Sequence, residues 1–286
     1  MTDASFTIVP LSPAVGAEIR GIDLARDLDQ AEIAAIKQAW HRHLVLLFRD
    51  QILSPARLVA FSRSFGDLDI APPNENGQRF VPDYPEILVI SNVIENGIAI
   101  GSLGAGEAAW HTDMSYLERP PLGSALFALE VPASGGETGF ANMYRALETL
   151  PAALRSEIEG KAIKHDSSTN SAGYLREGAQ AVDDVTCSPG ARHLIIRIHS
   201  ETGRPALYLG RRANAYVDGL PLARSEALLD ALWSHATGPE MTWHHRWKPG
   251  DLVLWDNRCV VHRRAAFDPA LRRIMHRTQI ASQNDL

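Results

Sequence analysis

Short apolar runs bounded by glycine, proline and small polar residues dominate the hydropathy pattern of this chain. HLVLLF (43–48) is apolar at nearly every position, as in a strand covered on both faces. Comparable strand patterns occupy 86–93, 123–131, 193–198, 205–210, 241–247, 251–256 and 273–281. Helical spacing is rarer. DLDQAEIAAIKQAW brings Ile33, Ile36 and Trp40 onto one face, with Asp29 placed to cap it. Ser54 and Pro55 open a second helix carrying Leu58, Phe61 and Phe65, which Gly66 can close. Further helices fit 144–159 and 225–236, the latter capped by Ser225 with Leu228, Leu229 and Leu232 inside. Many short strands, few helices and no regular strand–helix alternation predict a mainly β protein with flanking helices, built as a jelly-roll-like double sheet.

Charge and composition narrow the field. A net charge of −6 over 286 residues argues against a nonspecific nucleic-acid binder, which needs a basic surface. Arg263, Arg264, Arg272 and Arg273 are locally basic but lack interleaved aromatics. No run of about 18 apolar residues is present to span a membrane, and MTDASFTIVPLS lacks the basic and apolar regions of a secretory signal. Cys187 and Cys259 are too few for a disulfide framework, so free thiols and a cytoplasmic protein are expected. The stretch 165–192 is polar and aperiodic, the pattern of a lid or mobile loop. Gly101, Gly104 and Gly106 lack the Lys-Ser/Thr of a phosphate loop and read as a hinge.

WHTDMSY (110–116) carries the first chemistry. On a strand, residues two apart share a face, so His111 and Asp113 would project together. Alone, the pair equally fits two residues flanking a turn. His262 offers a third donor between the run DLVLWDN and an arginine-rich strand. Two histidines and a carboxylate on one face of an ion leave positions open, as in non-haem iron oxygenases, although zinc hydrolases use the same donors. Arg273 and Arg277 flank Met275 in alternation, which puts both guanidiniums on one side, about 13 Å apart at Cα on an extended strand. A basic surface strand would show the same alternation. A hydrolytic site has no need of two inward arginines, whereas a chelated 2-oxo diacid leaves a distal carboxylate that an arginine fork suits.

WHTDMSYLERPP, SGGETGFANMY, WKPGDLVLWDNRCVVH and RRIMHR, with GAEIRGIDLARDL (16–28) and FSRSFGDL (61–68), extend a likeness over nearly the whole chain. The chain resembles the taurine dioxygenase / 2,4-dichlorophenoxyacetate dioxygenase family of Fe(II)/2-oxoglutarate-dependent oxygenases. The resemblance implies a double-stranded β-helix, a cupin-like jelly roll, as one domain over 1–286 with a lid or insertion at about 165–192. It implies that His111, Asp113 and His262 ligate iron, that Thr138 and Arg273 hold the distal carboxylate of 2-oxoglutarate, and that Arg277 pairs with the substrate's acidic group. It also implies consumption of O2, release of succinate and CO2, and hydroxylation of a small anionic carboxylate, sulfonate, sulfate ester or phosphonate. With Asp113 present a halide has no place at the metal, so halogenation is not expected. Homo-oligomers, dimers or tetramers, are common in the family and are expected here.

Family members that use taurine carry a histidine and a tyrosine near the segment GDLDIAPPNEN, where this chain has Ala71 and Asn74. Taurine itself is therefore not the expected substrate, and Ala71 would leave room for a larger one. On the residues alone, a metal-dependent hydrolase with the same ligands and a non-catalytic jelly-roll binding protein stay open. Neither accounts for Thr138 and the Arg273/Arg277 spacing. Trp110, Trp255, Phe127 and Tyr144 are expected in the core, and His165, His193, His199 and His276 as packing or hydrogen-bonding histidines.

Overall fold

A computed structural model of the protein describes residues 6–74 and 77–282. The ends of the domain expected over 1–286, and Glu75 and Asn76 of the GDLDIAPPNEN loop, lie outside the described residues. Two sheets organise the chain. In order, their strands are β1 (Thr7–Pro10), β2 (Ala17–Arg20), β3 (Val45–Phe48), β4 (Leu88–Ser91), β5 (Ser102–Leu103), β6 (Ala108–His111), β7 (Gly123–Glu130), β8 (Thr138–Asn142), β9 (Thr242–His245), β10 (Leu252–Asp256), β11 (Val260–Arg264) and β12 (Ile274–Ile280). The larger sheet runs β1-β2-β3-β10-β7-β12-β4-β5 and the smaller β9-β8-β11-β6. Only β2 with β3 and β4 with β5 pair in parallel within these sheets. Long-range antiparallel neighbours such as β3–β10 and β7–β12 make this a mainly β jelly roll.

Alternation along the larger sheet separates two cores. Val45, Leu47, Leu126, Ala128, Val253 and Trp255 pack with Phe140, Ala141, Val260 and Val261 of the smaller sheet. The intervening Leu46, Phe48, Ala125, Phe127, Leu252 and Leu254 pack on helices α1 (Gln30–His43) and α2 (Pro55–Arg63) through Ile36, Trp40, Leu58 and Phe61. With both faces covered, β3 is buried at every position, which is why its sequence is apolar without a break.

Helix ends follow local chemistry. Asp29 accepts from the Glu32 backbone N–H at 2.8 Å while Glu32 reaches back to the Asp29 N–H, a reciprocal capping box. Ser54 caps α2, which ends at Ser64, two residues before Gly66. The helix expected over 144–159 is two, α3 (Met143–Glu148) and α4 (Ala152–Ile158), because Pro151 cannot supply the N–H that continuation needs. The last helix, α5 (Leu222–Ala236), starts three residues before the expected cap. Ser225 lies inside it, fully buried, and its hydroxyl accepts from the Val217 N–H at 2.8 Å. The strand expected over 193–198 breaks into Arg192–Leu194 and Ile196–Ile198, and that over 205–210 shortens to Pro205–Leu207.

The segment 165–192 leaves strand Ala162–Lys164 and returns on Arg192–Leu194, which pair antiparallel. Of the three glycines expected to hinge, Gly101 and Gly106 are held instead. A Cβ on Gly101 would lie 2.7 Å from that of Ser91, so only glycine allows this approach to β4. Arg264 fixes the carbonyls of Leu103 and Gly106. Among the described residues no helix is long and apolar enough to cross a membrane. Asp29→Ala, which removes the capping box of α1, is expected to lower stability by about 1 kcal/mol, measured by chemical denaturation.

Candidate metal centre

Three buried side chains converge between the two sheets. His111 ends β6 and His262 lies opposite it in the β11–β6 pairing, with ring centres 4.2 Å apart. Asp113 is not on the strand. The strand reading of WHTDMSY holds only as far as His111, after which the chain turns through Met114 at φ 48°. That turn brings Asp113 Oδ1 to 3.7 Å from His111 Nε2 and 3.8 Å from His262 Nε2. The donor atoms of all three lie within 4.8 Å of one another.

Protonation suits a cation at this point. His111 Nδ1 sits 2.7 Å from the Ala109 carbonyl, which can only accept, so Nδ1 carries a proton and Nε2 is the nitrogen turned toward Asp113. Burial, reinforced by His111, pushes His262 down to about 3, so this ring is neutral. Burial alone would raise the Asp113 carboxyl, but Arg277, then His262 and His111, hold it well below the ordinary carboxylate range. Arg277 Nη1 donates to Asp113 Oδ1 at 3.1 Å and its Nη2 to Gln279 at 3.3 Å. Two imidazoles and a carboxylate facing one another are the donor set a divalent metal takes.

A chain of buried hydrogen bonds orients the carboxylate. Ser124 Oγ donates to Asp113 Oδ2 at 2.8 Å, Asn257 Nδ2 donates to Ser124 Oγ at 3.2 Å, and Trp255 Nε1 donates to Asn257 Oδ1 at 2.9 Å. The residues run through β7 and the end of β10, cross-strand neighbours in the larger sheet. Sequence reading missed Ser124 and Asn257, although Asn257 follows Trp255 in the WDN run.

Two cavities meet at the triad, sharing His111 and Arg277 in their walls. The inner one, about 60 Å³, is bordered by Thr138, His262, Arg264 and Arg273. Thr138 Oγ1 accepts from the Trp247 indole N–H at 2.9 Å, which leaves the threonine proton to donate elsewhere. Arg273 is 1% exposed, precedes β12, and has Nε and Nη2 buried with no partner. With no carboxylate in salt-bridge range among the described residues, burial, helped by Arg264, pushes it down to about 9. These orphaned donors fit a carboxylate.

The outer cleft, about 920 Å³, is walled by Phe80, Leu88, Ile94, Ile98 and Met114 together with the segment 166–177. Asp166 organises that segment, accepting from Ser168, Thr169 and Asn214, while Arg211 donates to the carbonyls of Asp166 and Thr169. Asn74 lines the cleft, but Ala71 does not: it is buried against the core, so its size opens no space there.

Other candidate residues resolve into structural roles. His199, Asp256 and Cys259 also cluster. His199 Nδ1 accepts from the Glu201 and Thr202 N–H groups, so Nε2 donates to Asp256 at 2.9 Å, and Arg258 already neutralises that carboxylate at 2.7 Å. His193 bonds the Leu117 carbonyl, and His165 packs edge-on against it. Trp255, Phe127 and Tyr144 are buried, while Trp110 is half-buried beneath Arg263. The basic cluster is no patch: Arg264 and Arg273 point inward, and Arg272 pairs with Glu130 and Glu95.

The family model described as "Taurine catabolism dioxygenase TauD, TfdA family" matches residues 7–279. The alpha-ketoglutarate-dependent 2,4-dichlorophenoxyacetate dioxygenase of Cupriavidus pinatubonensis is 36% identical over 277 residues, covering 94% of this chain and 95% of that protein. The (S)-phenoxypropionate/alpha-ketoglutarate-dioxygenase of Sphingobium herbicidovorans is 35% identical over 291 residues, covering 97% and 95%. Among solved structures, a taurine dioxygenase from Burkholderia xenovorans superposes with a TM-score of 0.79 at 32% identity, over 98% of this chain and 90% of that one.

Ser124→Ala, by freeing Asp113 Oδ2, is expected to weaken Co(II) binding roughly 10–100-fold, read by absorbance titration. A second expectation concerns pH. Burial pushes His165, like His262, down to about 3, whereas both titrate near 6.5 when unfolded. Between those values the unfolded chain binds more protons, so stability is full above pH 6.5 and is lost as pH falls toward 3. In calorimetry of the metal-free protein at pH 5, with buffers of differing ionisation enthalpy, these two rings should add about two protons to the uptake on unfolding. His165→Gln should remove about one of them.

Proposed function

We propose a role for each of these side chains on the premise that the chain belongs to the taurine catabolism dioxygenase TauD, TfdA family. The protein is an Fe(II)- and 2-oxoglutarate-dependent dioxygenase acting on a small anionic organic molecule. In our reading His111, Asp113 and His262 hold the iron, Thr138 and Arg273 hold the distal carboxylate of 2-oxoglutarate, and Arg277 receives the acidic group of the substrate. The observation that carries it is the convergence of two buried imidazoles and a buried carboxylate, beside a buried arginine with no carboxylate in range among the described residues. The hydrolase and binding-protein alternatives leave that arginine without a use.

Fe(II) and 2-oxoglutarate, when bound, would supply the chemistry that activates O2: the oxo acid and the substrate C–H each give up two electrons, one oxygen atom ends in succinate with release of CO2, and the other ends on a substrate carbon. The chain supplies position. Ala109 and Ser124 fix the directions in which His111 and Asp113 present their lone pairs. Trp247 turns the Thr138 hydroxyl into a donor toward the inner cavity. Arg277 borders both cavities and has a buried Nε without a partner, so an anion it holds lies beside the triad and presents its neighbouring C–H bond there.

The finer reading of the substrate is an organic acid with an apolar body, aryloxyalkanoic acids first. The apolar wall of Phe80, Leu88, Ile94 and Ile98 supports it, as do relatives that act on 2,4-dichlorophenoxyacetate and (S)-phenoxypropionate. We further take 1–286 as one dioxygenase domain, 165–192 as a lid on the outer cleft, and the protein as a cytoplasmic homo-oligomer, dimer or tetramer. The place of 166–177 in the cleft wall supports the lid, and the unpaired Cys187 and Cys259 support a reducing compartment.

A screen for succinate release with Fe(II), ascorbate, 2-oxoglutarate and O2 across aryloxyalkanoates, alkyl sulfates, sulfonates and phosphonates tests this directly. His111→Ala should abolish turnover, and succinate formation that survives it would sink the metal assignment. Arg277→Ala should raise the substrate KM by about 10-fold or more, and should weaken 2-oxoglutarate less than substrate although it also removes the partner of Asp113.

A further inference from the structure

The inner cavity holds a second buried guanidinium that none of these roles uses. Arg264 is 7% exposed and lies two residues beyond His262 on β11. In the β8–β11 pairing it stands directly across from Thr138. Arg273 reaches the same region from the start of β12, and the two guanidinium carbons lie 5.7 and 5.9 Å from the centre of the Phe267 ring. Neither arginine has a carboxylate within salt-bridge range among the described residues. Arg264 Nη2 donates to the Leu103 carbonyl at 3.0 Å and to that of Gly106, while its Nε is buried without a partner. Two carbonyl dipoles are weak compensation for a buried cation, and a second like charge beside it raises the cost.

We infer that Arg264 joins Thr138 and Arg273 in binding the distal carboxylate of the co-substrate, making the inner cavity a two-arginine site selective for a dicarboxylic 2-oxo acid. The inference rests on the assignment of Thr138 and Arg273 made above. A carboxylate with two oxygens can accept from two guanidiniums and a hydroxyl at once. It would neutralise the charge that the cavity otherwise concentrates. The competing explanation is mechanical: Arg264 staples the loop 103–106 and does nothing else. A staple would support any 2-oxo acid equally, whereas a carboxylate partner acts only on one that carries the distal charge.

Anaerobic calorimetry on the Fe(II)-loaded protein separates these. 2-Oxoglutarate is compared with 2-oxopentanoate, which keeps the chelating end and lacks the distal carboxylate. Arg264→Met is expected to weaken 2-oxoglutarate about 10-fold or more and to leave 2-oxopentanoate within about twofold, with Arg264→Lys in between. Equal weakening of both ligands, or no change in either, overturns the inference in favour of the staple. Arg273→Met serves as the control. If it leaves the preference for 2-oxoglutarate intact, the assignment of the inner cavity fails and takes the inference with it. If Arg273→Met collapses that preference while Arg264→Met does not, only the role of Arg264 fails.

Discussion

The Asp113 carboxylate is 4% exposed, and a charge so placed would cost several kcal/mol if left to itself. Its compensation explains much of the surrounding architecture. Arg277 must come from β12, Ser124 from β7, and Asn257 from the end of β10, so three strands of the larger sheet are committed to one side chain. The two imidazoles come from β6 and β11 of the smaller sheet. The site therefore exists only when both sheets are assembled. It is joined to the core through Trp255, whose ring packs 4.8 Å from that of His262 and whose indole N–H holds Asn257.

Electrostatics divides the interior into two compartments. Positive charge gathers on the inner side, where Arg264 and Arg273 share the Phe267 ring, and that ring comes close because Gly135 and Gly136 of the SGGET turn carry no side chain. A Cβ on Gly135, at φ 79°, would sit 3.0 Å from the Phe267 Cβ, and one on Gly136, at φ 70°, 3.5 Å from the Arg273 Nε. On the outer side charges are balanced, Arg211 with Asp166 and Arg277 with Asp113, against an apolar wall. An inner cavity rich in positive charge and an outer cleft that is mostly neutral suit a fixed co-substrate and a variable substrate.

Much of this was legible in the chain. The apolar run of β3, the caps at Asp29 and Ser54, and the strand bearing Arg277 follow from side-chain patterns among near neighbours, whereas the strand that carries His262, Val260–Arg264, was not read from them. The conjunction of His111, Asp113 and His262 was legible from family motifs, although the reason given for the first pair was wrong. Asp113 meets His111 through a turn, and strand alternation does not describe it. Ser225 looked like a cap because its hydroxyl suits one, but it sits inside the helix and its partner Val217 lies eight residues back on a strand. Arg264 was overlooked inside a basic run, despite sitting two residues from His262. Only the register opposite Thr138 turns that spacing into an inward position. What local pattern cannot carry is partnership across strands distant in sequence.

The segment 165–192 departs from and rejoins two strands already paired with each other, Ala162–Lys164 and Arg192–Leu194. Its endpoints are held together whatever lies between them. Loop closure grows only logarithmically with length, about 0.6 kcal/mol for each doubling. Residues can thus be inserted into or removed from this excursion at little thermodynamic penalty, wherever the change spares the Ser171 carbonyl that accepts from the Ala109 N–H beside His111. The wall of the outer cleft is the part of this enzyme that evolution, or an engineer, can lengthen, shorten or exchange as a cassette.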